Sequence, residues 1–336
     1  MPGPEINDIT ACYVSLKLNA IIAPNAPACL ENRERSQIMR ILVLGANGML
    51  GSEAIRVLSV NNEVFAAART KASLDRLGLG AEKLGLPAER LLFGLDAMVP
   101  ASVQTLLDDV QPAVVLNAVG VVKQRPAAHD AVESIAVNSL WPHVLAGFCE
   151  NRGVRVIHVS TDCVFSGHRG NYREGDFADA DDLYGRSKLL GEVVELQNVV
   201  TIRTSIVGWQ FGVQTGLFGW FASHRTEALR GYSRAVFSGL TTRALSEVIG
   251  DVILPDSSLS GLYHVSSAPI DKFTLLSKLS LAMGWDVNLA EDDKYQVDKS
   301  LDSSAFQART GWTPPTWDQM LADLPGEYSH YYDQPT

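Results

Sequence analysis

Tyr184-Gly-Arg-Ser-Lys188 sets a phenol and an ammonium four residues apart. On a helix such residues share a face, so the two groups converge on one spot. A cation there favours the phenolate of a tyrosine whose ordinary pKa is about 10, making it a proton donor or acceptor near neutrality. That is machinery for moving a proton on a carbinol or a carbonyl. The same spacing also suits a solvated helix face, so its weight comes from the residues that precede it.

Upstream lies Gly45-Ala-Asn47-Gly48-Met49-Leu50-Gly51, directly after the apolar run 41–44 and leading into a helical pattern over 53–58. Strand, glycine turn and helix in register make a dinucleotide site: glycine permits the tight turn, backbone can approach a pyrophosphate, and the helix N-terminus faces its charge. The second strand-like run ends at Ala67-Ala68-Arg69-Thr70-Lys71. A carboxylate there would suit a free ribose 2′-hydroxyl, whereas the guanidinium of Arg69 suits a 2′-phosphate through paired hydrogen bonds. The reading therefore favours NADP(H), with NAD(H) as the alternative.

These motifs need a scaffold, and the hydrophobic pattern supplies one. Short apolar runs at 41–44, 64–68, 113–116, 154–159 and 199–202 alternate with longer helix-like stretches. Runs of that kind suit strands buried on both faces, so the expected fold is α/β, a Rossmann-type doubly wound parallel sheet with a smaller C-terminal lobe. The expected division is a Pro-punctuated, poorly ordered extension over residues 1–38, an NAD(P)-binding domain over 39–205, and a mainly substrate-binding lobe over 206–336 with some elements returning to the sheet. A net charge of −10 argues against non-specific nucleic-acid binding or attachment to anionic membranes. Cys12, Cys29, Cys149 and Cys163 show no Cys-x-x-Cys spacing, so reduced thiols in a cytoplasmic protein are expected. The scattered histidines make no ligand pattern, and no metal is expected. A homodimer is left open.

The series Gly45, Asn117-Ala-Val-Gly120, Ser160-Thr161-Asp162, Tyr184 and Lys188 resembles the extended short-chain dehydrogenase/reductase family. Ser160 to Gly167 and Arg203-Thr-Ser205 look most like dTDP-4-dehydrorhamnose reductases and related nucleotide-sugar reductases, with the resemblance running in order over about residues 40–317. It implies that Tyr184 protonates a carbonyl oxygen as hydride arrives from the nicotinamide, that Lys188 lowers the tyrosine pKa and holds the nicotinamide ribose, and that Thr161 donates to the same oxygen. It further implies that Asp96 sits by the adenine, that Ala118, Val119 and Gly120 line the cofactor cleft, and that Ser205 lies near the nicotinamide. Asn138 is expected to order backbone or water below the site. Lys123, Asp162 and Trp209 are expected on the substrate side, with Arg125 beside Lys123. The implied substrate is a nucleotide-activated deoxysugar of the 4-keto-6-deoxyhexose type.

Related chemistries are separated at residue 163. The 4,6-dehydratases of this group carry Thr-Asp-Glu, and Cys163 stands where their glutamate would be, so the base for dehydration is missing. A cysteine at that place also marks the epimerase-reductases, whose thiol works with a downstream histidine; His224 lies in the region but several residues from the matching position. An epimerase or epimerase-reductase is thus the enzyme alternative. A non-catalytic cofactor-binding regulatory subunit is the alternative of another class, against which the intact Tyr184, Lys188 and Thr161 speak.

Overall fold

The computed structural model describes residues 38–99, 101–122, 130–212 and 216–332. The extension expected before Ile38 and the substrate contacts expected of Lys123 and Arg125 lie outside the described residues.

Six strands in the first part of the chain are β1 (Arg40–Leu44), β2 (Glu63–Ala68), β3 (Leu91–Phe93), β4 (Val114–Asn117), β5 (Arg155–Thr161) and β6 (Val199–Thr204). With a late strand, Gly261–His264, they form one seven-stranded sheet in the order Gly261–His264, β6, β5, β4, β1, β2, β3. Every pairing in it is parallel. Each expected apolar run is a strand, and the reason is visible in the burial: β4 and β6 are buried at every position because helices cover both faces. Alternate side chains enter opposite cores. Ile41, Val43, Val64 and Ala66 meet the helices Met49–Leu58 and Thr242–Val248, whereas Leu42, Leu44, Ala67 and Val115 meet Ser102–Val110 and Trp141–Glu150.

The helix that passes under β4 and β5 changes pitch on the way. Asp130 caps its start by accepting from the backbone N–H groups of Val132 and Glu133. After Ala131–Ser134 it widens into a π-helical turn, Ile135–Leu140, then continues as Trp141–Glu150. Pro142 has no N–H to bond the carbonyl of Asn138 in α register, and a wide turn at this place relieves that mismatch. The turn aims Asn138 inward.

Residues after Ser205 do not build a separate core. Gly261–His264 completes the main sheet, and small sheets pair Ile206–Val207 with Leu240–Thr241 and Leu229–Tyr232 with Leu289–Asp292. A third small sheet joins Ile270–Asp271, Ala235–Phe237 and Val297–Asp298. The last helix, Leu324–Tyr332, returns to the first: Tyr331 donates its hydroxyl to buried Glu53 at 3.0 Å. Among the described residues no helix is long and apolar enough to cross a membrane.

Candidate active site

The glycine turn is built by backbone contact. Gly45 has φ +92°, and a Cβ on it would lie 2.9 Å from the Ala118 carbonyl oxygen; a Cβ on Gly51 would lie 2.0 Å from the Gly45 carbonyl oxygen. Only glycine fits either position. The N–H groups of Gly45 and Ala46 both reach the Ala67 carbonyl, tying the turn to the end of β2. Gly48 begins the helix Met49–Leu58 with no side-chain cap, and Leu50 is buried in the core, so backbone is what this helix end presents. Asn47 and Met49 are half-buried along the same turn. This cradle, which any methyl group would fill, fits a dinucleotide diphosphate.

Around the cradle, Arg69 follows β2 with 56% of its side chain exposed and reaches Glu133 only at 4.0 Å. Its guanidinium is thus on the rim of the turn with most of its donors in solvent. Asp96 closes a local turn by accepting from the Met98 N–H, and its own N–H is held by Ser102. Ala118, Val119 and Gly120 leave the end of β4, the first two half-buried and Gly120 exposed. Asn138 then pins the neighbouring Val121: its Oδ1 accepts from the Val121 N–H at 2.9 Å, and its Nδ2 donates to the Val121 carbonyl and to Ser187. Asn138 so orders both this loop backbone and the Tyr184 helix.

That helix, Leu183–Leu190, starts on Asp182, whose carboxylate accepts from the Gly185 N–H at 2.7 Å. Two glycines set its height. A Cβ on Gly185 would lie 2.2 Å from the Cys163 carbonyl oxygen, and one on Gly191 would lie 1.8 Å from the Asn138 carbonyl oxygen. Pressed between these carbonyls, the helix brings the phenol of Tyr184 beside Thr161 at the end of β5. Thr161 donates to Asp162 at 3.1 Å and accepts from the Cys163 N–H. Ser205, directly after β6, lies beside the same Asp162 carboxyl. Tyr184, the Thr161-Asp162 pair and Ser205, from three separate stretches of chain, so converge at the carboxyl edge of the sheet.

The protonation states follow from burial. Burial, with the Cys163 and Asp162 groups next to it, pushes the Tyr184 phenol well above its ordinary value, so it carries its proton. Burial lowers the Lys188 ammonium to about 8, against which Glu192 raises it. Lys188 donates to the Val159 carbonyl at 2.8 Å. The expected lowering of the tyrosine by the lysine is not the arrangement found: the ammonium is held on backbone, one strand residue short of Ser160. Burial also raises Asp162, with Lys299 opposing.

Two further expectations are corrected or weakened by geometry. Trp209 is completely buried, its indole N–H donates to the Leu324 carbonyl, and it packs among Phe218, Trp285, Tyr328 and Tyr332. It is a core residue beneath the last helix and has no surface to offer a substrate. Cys163 is pushed up to about 12 by burial and by Asp162, so its thiol keeps its proton. His224 stacks on Trp220 and bonds the carbonyl of that same residue within its own helix. A cysteine–histidine proton-transfer pair has no support in this arrangement.

Beneath Thr161 lies a buried network that sequence patterns do not announce. Glu192 accepts from Ser160 and twice from Arg203, each at 2.7 Å, and both ends of this ion pair are 5% exposed. Its only signal in the sequence is a glycine and a glutamate directly after the lysine helix. His158, on β5, is also buried, with Nδ1 on Asn117 and, among the described residues, no partner for Nε2.

A parallel Rossmann sheet, a diphosphate cradle and a tyrosine–threonine–lysine site on one edge define an extended short-chain dehydrogenase/reductase. Residues 39–275 match the family described as RmlD substrate binding domain, and the chain belongs to that family. It is 28% identical over 314 residues to the probable low-salt glycan biosynthesis reductase Agl14 of Haloferax volcanii, covering 87% of this chain and 99% of the relative. It is 32% identical over 180 residues to a dTDP-4-dehydrorhamnose reductase of Burkholderia thailandensis, of which the match spans 52%. Among solved structures, the dTDP-4-dehydrorhamnose reductase of Bacillus anthracis in complex with NADP superposes with a TM-score of 0.70 at 19% identity, covering 87% of this chain and 99% of that one. At that identity the likeness shows the fold.

Proposed function

We propose that this protein is an NADP(H)-dependent reductase that converts the keto group of a nucleotide-activated deoxysugar, of the 4-keto-6-deoxyhexose type, into a hydroxyl. The observation that carries the reading is the Tyr184 phenol, kept protonated by burial, beside the Thr161 hydroxyl at the sheet edge that also holds the glycine cradle. A carbonyl being reduced needs an acid, and a protonated phenol is one. When bound, the nicotinamide supplies the hydride.

Tyr184 gives its proton to the carbonyl oxygen as that oxygen gains charge, and Thr161 donates a hydrogen bond to the same atom. Lys188 holds the nicotinamide ribose. Gly45, Gly48 and Gly51, with the backbone of Asn47, Met49 and Leu50, hold the diphosphate; Arg69 takes the 2′-phosphate; Asp96 lies toward the adenine; and Ala118, Val119, Gly120 and Ser205 line the rest. Asp162 faces the sugar. Relatives named as a dTDP-4-dehydrorhamnose reductase and a dTDP-4-keto-6-deoxy-D-glucose reductase support this substrate class. The acidic charge and isolated cysteines support a cytoplasmic protein whose partner is a small molecule; size-exclusion chromatography separates monomer from homodimer.

The test is NADPH consumption against a panel of 4-keto nucleotide sugars, with product stereochemistry read by NMR. Tyr184→Phe is expected to lower kcat by roughly 10²–10⁴-fold while NADPH affinity stays near wild type. Undiminished turnover in that variant overturns the assignment. The epimerase reading is checked in the same samples: solvent deuterium at the carbon beside the ketone, lost in Cys163→Ser, would establish it.

A further inference from the structure

Burying a glutamate–arginine pair is costly, because the attraction must repay the solvent both ions give up, and apolar side chains of similar size often serve stability as well. In the Glu192–Arg203 pair every side-chain nitrogen and both carboxylate oxygens nevertheless have a partner. Arg203 donates to Glu192 through Nε and Nη2, approaches His264 Nε2 through Nη1 at 3.3 Å, and lies over the Phe165 ring at 5.2 Å. His264 Nδ1 reaches the Tyr172 carbonyl at 3.0 Å, so its Nε2 is the acceptor for Arg203. One carboxylate oxygen of Glu192 also takes the Ser160 hydroxyl, and Ser160 directly precedes Thr161.

The position relative to Lys188 is the second observation. Glu192 follows Lys188 by four residues, and the chain reaches it through Gly191, where a Cβ would strike the Asn138 carbonyl. The titratable groups facing Lys188 are few. His158 on β5 lies well below its ordinary value because of burial, so it is neutral; Tyr184 carries its proton; His143 is turned to the Leu190 carbonyl; Arg203 is neutralised by Glu192. Lys188 Nζ is bonded to the Val159 carbonyl and the Glu192 carboxylate to the hydroxyl of the next residue, Ser160, so the two groups are anchored on adjacent residues of β5, where among the described residues Glu192 is the acid that raises this buried ammonium.

We propose that Glu192, clamped by Arg203, is the positioning residue that keeps Lys188 charged in its buried site and fixes Ser160 beside Thr161. The catalytic part of this claim rests on the reductase reading above; the charge of Lys188 does not. Glu192 touches neither substrate nor cofactor and acts through the two residues it holds.

The experiment follows the Lys188 side chain by NMR of isotope-labelled lysine across pH, with Lys188→Met identifying its resonance, in wild type and Glu192→Gln. The expected result is a lower titration midpoint for Lys188 in Glu192→Gln, and an alkaline fall in kcat that moves to lower pH by the same amount, with KM for NADPH little changed. A midpoint one unit lower corresponds to about tenfold less charged lysine at pH values above both midpoints. Since Glu192→Gln leaves Arg203 buried without its counter-charge, Glu192→Gln/Arg203→Gln is measured alongside. It removes both charges of the pair and is expected to lower the midpoint in the same direction by a smaller amount. An unchanged Lys188 midpoint in either folded variant overturns the proposal, as does a kcat loss with no movement of the pH profile. If wild type reduces no keto sugar while the lysine midpoint still moves, the reductase reading falls and the control of Lys188 by Glu192 stands.

Discussion

Lys188 is held in its buried place at a cost that pH exposes. In the unfolded chain it keeps its proton to about 10.5, and in the folded protein to about 8. Between those values the unfolded state binds more protons, so this group makes stability rise with pH across that window, and its penalty is fully present below 8. Lys188→Met is therefore expected to melt a few degrees higher than wild type at pH 7 and to lose that advantage above pH 10.5, while turnover collapses. Equal melting of the two proteins at pH 7 would argue that the hydrogen bond to Val159 offsets the burial. Arg69 makes a prediction of the opposite kind. It has little to do in the fold, so Arg69→Ala should leave melting unchanged and raise the KM for NADPH roughly 10–100-fold, the value of a few charge-assisted hydrogen bonds. An equal rise in the KM for NADH would show that Arg69 does not read the 2′-phosphate.

At the scale of elements, the helix Leu183–Leu190 is positioned by what it lacks. Gly185 and Gly191 let it lie against the carbonyls of Cys163 and Asn138, and these two contacts decide where Tyr184 and Lys188 stand. Gly185→Ala forces a methyl into backbone that cannot move without shifting Thr161. Overpacking of that sort costs about 1–3 kcal/mol, and a displaced acid loses on the order of 10²-fold in rate. The expected outcome is a folded protein with reduced kcat and nearly unchanged NADPH binding, measured by steady-state kinetics and cofactor titration. Wild-type kcat in this variant would show that the helix has slack the close contacts do not suggest. The π-helical turn Ile135–Leu140 is the matching device on the other side, since it delivers both the Asn138 carbonyl that meets Gly191 and the side chain that holds Val121 and Ser187.

Across the whole molecule, the C-terminal helix closes over the first helix through a cluster of buried charge. Glu327 is buried beside Glu53, with Arg243 at 3.9 Å and Arg56 at 4.0 Å, and among the described residues its Oε1 has no hydrogen-bond partner. Burial and the neighbouring Glu53 raise it from 4.5 to about 7. The folded state then holds a proton that the unfolded state has lost, so stability from this group is present at low pH and is lost as pH rises from 4.5 through 7. Glu327→Gln should flatten that slope and melt above wild type at pH 8; a slope identical to wild type would remove Glu327 as its source.

Much of this protein is legible along the chain. The strands β1, β2, β4, β5 and β6, the glycine turn and the tyrosine–lysine spacing are local patterns, because burial on both faces demands continuous apolar runs and a diphosphate cradle demands glycine. Local pattern leaves out direction and distance. Trp209 reads as a side chain available to a sugar, yet the last helix, more than a hundred residues later in sequence, covers it and takes its indole N–H. Nothing in the local pattern marks Glu192. Only the approach of Ser160 and Arg203, from two neighbouring strands, turns it inward. The order of residues along the chain was enough to single out the groups able to move a proton and the turn able to hold a phosphate. Three-dimensional packing settled which residues are buried, hence which keep or lose their protons, because desolvation depends on every element that packs around a group and on none of them alone.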